Sequence, residues 1–493
     1  MKFISTRGAA ERVDAAYAIK TGLASDGGLF MPESIPTLTN DELLTLAKAS
    51  YEERAASIIG KFLTDYSYDE LLEDARAAYS KEKFGKSPAP VVKLDDNNYV
   101  LELWHGPTCA FKDMALQIMP RLFTRALKKC GEKRTAMILV ATSGDTGKAA
   151  LEGYRDVDGT KIKVFYPVEG VSRVQKLQMQ TQEGKNVSVD AIIGNFDDAQ
   201  NGVKRIFSDK QIAEKLNEKN VFLSSANSIN WGRLVPQIVY YVSAYLEMVA
   251  SGEIKMGEKI DVCVPTGNFG NIFAAYIAKL MGLPLERFIC ASNVNNVLTD
   301  FLTDGVYNRN RTFHQTVSPS MDILISSNLE RLLYTVIGTK STAEYMSLLT
   351  NEGKYELKND EHELIKKSFV GYYTTEEETA ETIKYIYENK NYLIDTHTAV
   401  AVHAAKSYMN DGEAERKILT VSTASPYKFA RDVFKSVSGK DAQGDLEALG
   451  ELSAFTSSEI PKPLASILGR CAIHTDIIEK SAMEKSVLDF AEN

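Results

Sequence analysis

One lysine stands apart by its surroundings. In Glu102-Leu-Trp-His-Gly-Pro-Thr-Cys-Ala-Phe-Lys-Asp-Met-Ala115, Lys112 follows an aromatic residue and precedes a helix-forming run. An apolar shell such as Trp104, Phe111 and Met114 disfavours the charged form of a lysine, and the neutral amine is a nucleophile and a base.

Two glycine-rich turns ask for anions. Thr142-Ser-Gly-Asp-Thr-Gly147 follows an apolar run ending at Ala141 and precedes the helical Lys148-Ala-Ala-Leu151. Glycines allow the tight turn, and the free N–H groups of a helix start, with the hydroxyls of Thr142, Ser143 and Thr146, form a nest for a carboxylate or phosphate. A nucleotide P-loop needs a Gly with four residues between it and Gly147-Lys148, then Ser or Thr, but Thr142 and Ala149 stand there. The second turn, Thr266-Gly-Asn-Phe-Gly-Asn271, lies between the strand-like Asp261 to Pro265 and the apolar helix Ile272 to Met281. Gly267 and Gly270 permit close backbone approach, the helix dipole favours negative charge, and Asn268 and Asn271 add donors. Gly270 is expected where the backbone passes nearest the anion. The spacing is not that of a dinucleotide fingerprint.

The elements that must position these turns are legible as texture. Residues 1–90 read as helix and loop, with apolar periodicity from Glu42 to Ile59 and from Leu71 to Tyr79, ending in the connector Lys86-Ser-Pro-Ala-Pro90. Between Thr135 and about Ala291, β-rich runs alternate with helices: Ala136 to Ala141, Ile162 to Tyr166, Val187 to Ile193, Val221 to Ser224, Val262 to Pro265 and Phe288 to Ala291. Parallel strands need crossovers, so this is α/β architecture. A late strand, Ile418 to Val421, after the charged helical stretch from Asn308 to Tyr392, points to two interleaved α/β units within residues 91–440. Residues 441–493 read as a C-terminal appendage.

Composition excludes other classes. The 493 residues are 44% hydrophobic and 25% charged, with 57 Lys and Arg against 66 Asp and Glu, a formal net charge of −9. That balance gives nucleic acid no electrostatic footing. No apolar stretch reaches the length of a membrane span, and Met1 to Arg7 lacks the apolar run of a signal peptide. Five scattered cysteines form no CxxC pair, which speaks for reduced thiols in a cytoplasmic protein and against a zinc site or disulfide framework. No metal site is expected.

The segment from Glu102 to Leu116, with Thr108, Ala110, Phe111 and Lys112 in fixed places, resembles the Schiff-base lysine signature of the serine/threonine dehydratase group of pyridoxal-phosphate enzymes. Within that group the chain is similar to the threonine synthase family. The matching stretches, in order, are Ser25-Asp-Gly-Gly-Leu-Phe-Met-Pro32, Trp104 to Asp113, Ser143 to Gly147, Tyr166-Pro167, Val171 to Met179, Asn227-Ser-Ile-Asn-Trp-Gly-Arg-Leu234, Gly267 to Asn271 and Ser422 to Phe429. Cys109, Ser425 and Tyr427 depart from the family pattern.

The resemblance implies a fold type II pyridoxal-phosphate enzyme: two interleaved parallel or mixed-sheet α/β domains with an N-terminal mainly helical extension. It implies pyridoxal 5'-phosphate bound to Lys112, its phosphate held by Gly267, Asn268, Phe269, Gly270 and Asn271, and its ring nitrogen met by Thr423. Thr142, Ser143, Gly144, Asp145 and Thr146 are then expected to bind the α-carboxylate of a small-molecule substrate, O-phospho-L-homoserine. Ser172, Arg173, Lys176, Asn227, Asn230 and Arg233 are candidates for its phosphate, with Arg173 the foremost. The implied reaction forms L-threonine and phosphate; a dehydratase-like β-eliminating lyase is the alternative.

Overall fold

The computed structural model describes residues 1–142, 144–412 and 416–492. Thr135–Ala141 has no alternation of polar and apolar residues; Ala136 to Val140 are all buried, as in a strand covered on both faces. It is a central strand of a five-stranded parallel sheet in the order Ile477–Glu479, Val187–Ile193, Thr160–Pro167, Thr135–Ala141, Val221–Ser224. A six-stranded sheet runs Phe369–Tyr373, Leu285–Ser292, Ile260–Pro265, Ile418–Ser422, Asn98–Glu102, Val91–Lys93, parallel except for the last strand.

The two sheets are interleaved in sequence, as expected. Asn98–Glu102 belongs to the larger sheet but precedes all of the smaller one, and Ile477–Glu479 completes the smaller sheet after the larger has closed. Lys112 therefore lies on the passage from one sheet to the other. The turns after Ala141 and Pro265 and the exit from Ser422 all leave carboxyl ends of strands, where open α/β sheets form crevices.

The N-terminal region departs from expectation. Lys2–Ser5 pairs antiparallel with Val13–Asp14 and with Phe30–Pro32; strands of two to four residues are too short to display a period in sequence. The periodic stretch from Glu42 to Ile59 is two helices, Asn40–Lys48 and Tyr51–Phe62, broken where Ser50 and Glu53 close a capping box. Behind them, helix Trp231–Ala250 is buried along almost its whole length. Among the described residues no helix is long and apolar enough to cross a membrane.

The C-terminal segment packs on the body and adds an edge strand to the smaller sheet. Ile477–Glu479 pairs in parallel with Ala191 to Ile193, and helix Met483–Glu492 buries Met483, Val487 and Ala491 beside Met137, Leu139 and Phe165. Met483→Ala should accordingly lower the urea midpoint by a loss of about 2 to 5 kcal/mol, the usual cost of emptying a core methionine site. An unchanged midpoint would mean that this helix is not part of the smaller unit's core.

Candidate active site

The backbone around Lys112 is pinned to the exit of strand Ile418–Ser422: Phe111 N–H donates to the Thr423 carbonyl at 2.8 Å, and Ala110 bridges Ala424. The side chain is 11% exposed. Its Nζ lies 3.3 Å from Ser320 Oγ, 3.9 Å from Asp145 Oδ2 and 4.9 Å from the Phe111 ring centre. Burial pulls the amine down to about 8, against the opposing pull of Asp145. Of the apolar shell anticipated for Lys112, Phe111 lies beside the amine, whereas Trp104 turns its Nε1 to Ser422 Oγ and neither Trp104 nor Met114 lines the cleft.

Asp145 is held by Lys428 Nζ at 2.6 Å and by Gln175 Nε2 at 2.8 Å. Burial favours its neutral form, but Lys428 and then Lys112 outweigh burial and keep the carboxylate ionised, well below the usual range. The Asp145 carboxylate is a fixed negative charge that repels a second one, so what this residue offers an anion is its backbone N–H at the helix start. The Thr142 hydroxyl also serves the turn itself, accepting from Gly144 N–H at 3.0 Å and Gly147 N–H at 2.9 Å. Ser143 lies outside the described residues. What remains for an anion is the helix start at Asp145–Thr146 and Arg233, whose Nη2 is 3.5 Å from Thr146 Oγ1.

Arg233 is buried and has no carboxylate partner among the described residues; burial pulls it down to about 10. Its Nη1 donates to the Ala226 carbonyl at 2.8 Å. Asn227 lines the same cleft. Asn230 has its amide engaged in structure, accepting from Gly232 N–H and donating to the Ile19 carbonyl.

The Ser172 to Lys176 segment behaves differently from expectation. Ser172 caps helix Arg173–Gln180, Arg173 is exposed, and the Lys176 amine turns to the Val168 carbonyl; none of the three lines the cleft. A helix start presents one face inward, and here that face carries Gln175, which grips Asp145.

The turn after Pro265 forms an anion cup. Helix Gly270–Leu280 starts from Phe269, which is left-handed (φ 60°) and packs its buried ring against Phe369. No backbone N–H from Gly267 to Ile272 finds an acceptor among the described residues. Asn271 Oδ1 accepts from the hydroxyls of Tyr240 and Tyr241, leaving its buried Nδ2 without a partner. The steric demand falls on Gly267, where a Cβ would lie 2.5 Å from the Ser320 carbonyl oxygen. At Gly270 it would meet the Asn328 side chain, with Nδ2 at 3.4 Å, and Gln237 Nε2 at 3.8 Å, so no protein atom closes that position to an anion.

Ser320, His397, Lys428 and Gln175 were not singled out by the sequence. His397 Nδ1 pairs with Asp395 at 2.9 Å, leaving Nε2 to accept from Ser320 N–H at 3.1 Å, which fixes the segment beside Lys112. His397 stood in no motif, whereas Lys428 belonged to Ser422 to Phe429 and carried a usable signal, a lysine in an apolar run. Lys112, Asp145, Thr146, Asn227, Arg233, Gly267 to Asn271 and Thr423 all line one cleft of about 1880 Å³. That exceeds a typical small-ligand pocket of roughly 300 to 1,000 Å³ and leaves room for two ligands side by side.

A direct check uses the protein without ligands. The rate at which acetic anhydride labels Lys112, followed by mass spectrometry of its peptide, should reach half-maximum near pH 8. Asp145→Asn removes the neighbouring negative charge, so the midpoint should move to lower pH; a midpoint that stays or rises refutes the pairing.

Comparison with known proteins gives concordant matches. The family model described as "Threonine synthase N terminus" matches residues 2–79, "Pyridoxal-phosphate dependent enzyme" residues 84–424, and "Threonine synthase, C-terminal" residues 398–477. The chain is 39% identical over 450 residues to a threonine synthase of Pseudomonas aeruginosa, covering 89% of this chain and 91% of that protein. It is 39% identical over 478 residues to human threonine synthase-like 1, covering 92% of this chain; the chain spans 63% of that protein's length. The crystal structure of PLP-bound threonine synthase from Brucella melitensis superposes with a TM-score of 0.88 at 36% identity, covering 100% of both chains.

Proposed function

Because the chain belongs to the threonine synthase family of pyridoxal-phosphate-dependent enzymes, we propose that it converts O-phospho-L-homoserine and water to L-threonine and inorganic phosphate, with Lys112 as the cofactor-bearing and proton-moving residue. The observation that carries this reading is one cleft holding a partly neutral buried lysine and two separate anion sites, the cup at Gly267 to Asn271 and the unpaired Arg233.

The residues of the cup fit the cofactor's phosphate. The free N–H groups at a helix start and the orphaned Asn271 Nδ2 are donors that a bound anion satisfies. Thr423 lines the same cleft, which suits its hydroxyl to meet the ring nitrogen. When bound, pyridoxal phosphate supplies a conjugated ring that withdraws electrons from the substrate's Cα.

The chain's own residues then have distinct tasks. Lys112 Nζ takes protons from Cα and Cβ and returns one to Cγ and one to Cα, while water gives its hydroxyl to Cβ and its remaining proton leaves with the released phosphate; this suits an amine that titrates near working pH. Asp145, itself fixed by Lys428 and Gln175, holds that amine on the Ser320 side of the cleft. The helix start at Asp145–Thr146 receives the α-carboxylate. Arg233, with Asn227 beside it on the wall, takes the substrate phosphate and offsets its charge as the C–O bond at Cγ breaks. A dehydratase acting on an unphosphorylated substrate would share Lys112 and the cup but has no use for that second anion site.

The division into residues 1–90, 91–440 and 441–493 is part of the same proposal, supported at its first boundary by the connector Lys86 to Pro90. Five free thiols support a cytoplasmic setting.

Purified protein should release phosphate from O-phosphohomoserine but not from O-phosphoserine, and Lys112→Ala should abolish that release while the protein stays folded. Arg233→Gln should raise KM by an amount equivalent to about 2 to 5 kcal/mol and weaken inhibition by inorganic phosphate in parallel. Arg173→Ala should change both little. A phosphate inhibition constant untouched by Arg233→Gln would remove Arg233 from the substrate site.

A further inference from the structure

Helix Leu329–Asn351 opens with side chains turned inward: Asn328, Glu330 and Arg331 are all buried. Glu330 is committed to the N-terminal strand region, accepting from Arg7 Nε and Nη2, each at 2.9 Å, and from Thr6 Oγ1 at 2.6 Å. Arg331 has no carboxylate within ion-pair distance among the described residues, and burial pulls it down to about 9. A buried guanidinium without a counter-charge is costly, and an apolar residue would fill the same space at less expense. Its donors explain its presence. Nε and Nη2 donate to the Phe30 carbonyl at 3.3 and 3.1 Å, Nη2 also to the Ile229 carbonyl at 2.6 Å, and Nη1 to Asn328 Oδ1. The Trp231 ring lies 5.8 Å away.

Asn328, oriented by that contact, donates twice to one acceptor. Its backbone N–H at 3.1 Å and its Nδ2 at 2.9 Å both reach the Asn268 carbonyl. One peptide earlier, Ser326 Oγ donates to the Gly267 carbonyl at 2.6 Å. In a trans peptide the carbonyl and the following N–H point in opposite directions. Holding the Gly267 and Asn268 carbonyls on the Ser326–Asn328 side therefore turns the N–H groups of Asn268 and Phe269 the other way. Asn268 and Phe269 line the cleft and Asn328 does not.

We propose that Asn328 and Arg331 are positioning residues for the cofactor phosphate, which fix the donor face of the Gly267 to Asn271 loop and tie it to the N-terminal sheet through the Phe30 carbonyl. The proposal rests on the reading that this loop holds the phosphate. It gives the N-terminal segment a task at the site, although none of residues 1–20 lines the cleft.

The test separates positioning from mere support of the fold. Asn328→Asp keeps the backbone N–H and gives Arg331 a carboxylate partner, but sets an oxygen against the Asn268 carbonyl in place of the donor. Titration of each apoprotein with pyridoxal phosphate, read by tryptophan fluorescence, should give a dissociation constant raised about tenfold in Asn328→Asp. The thermal midpoint of its apoprotein should be equal to or above the parent's. Arg331→Met should weaken binding similarly, and Arg331→Lys should restore part of it. Dissociation constants within twofold of the parent in both Asn328→Asp and Arg331→Met overturn the proposal, as does weakening that appears only with a matching fall in the midpoint. Gly267→Ala and Asn271→Ala identify which reading has failed. If they lose cofactor while the Asn328 and Arg331 variants keep it, the loop reading stands and the positioning role falls; if they too bind normally, both fall.

Discussion

The withdrawal of charged groups from water around Lys112 governs this site. Lys112, Arg233 and Lys428 are withdrawn from water around the same floor, and Asp145 is the buried carboxylate within ion-pair reach of two of them. In a medium of low dielectric the charged form of an amine is disfavoured, and the burial of Lys112 pulls it down to about 8 against the attraction of Asp145. On the proposed reading, an anion supplies Arg233 with the counter-charge that the described residues do not. Reactive amine and anion affinity would then have one physical origin, the withdrawal of cations from water.

The fold keeps that charge in place by drawing the floor from distant segments. Lys112 comes from the passage between the sheets, Asp145 from a helix start on the smaller sheet, Lys428 from the exit of the larger, and Ser320 from the loop that Gly267 lets pass. Helix Trp231–Ala250 reaches both proposed anion sites, with Arg233 near its start and Tyr240 and Tyr241 fixing Asn271 further along.

Much of this was legible in the sequence because local order encodes it. Val187 to Ile193 and Val221 to Ser224 are strands with the expected bounds, and the interleaving followed from a single late strand. Lys112 and the two glycine turns were readable because each concentrates its chemistry within a few residues. The partners were not. Lys428, Gln175, His397 and Asn328 act on atoms far away in sequence, and nothing in a linear reading says which face of a helix start turns inward. For the same reason the inward turn of Gln175 rather than Arg173, and the packing of Gly267 against the Ser320 carbonyl, could not be read from the sequence. The edge strand Ile477–Glu479 was missed because three residues carry no period; its pairing is settled by what lies beside it.

The interleaved topology also has a kinetic meaning. The hydrogen bond from Lys112 to Ser320 joins residues 208 apart, that from Trp104 to Ser422 joins residues 318 apart, and Arg331 reaches back 301 residues to Phe30. Contacts closed over such spans form late in folding, because the entropy of bringing the ends together must be met before the contact rewards it. During synthesis, strand Asn98–Glu102 emerges long before its neighbour Ile418–Ser422 exists and must remain unpaired on that edge until the chain is nearly finished. The cleft is therefore among the last parts of the molecule to exist, and a ligand that recognises only the finished cleft draws the population of chains toward the native state by mass action.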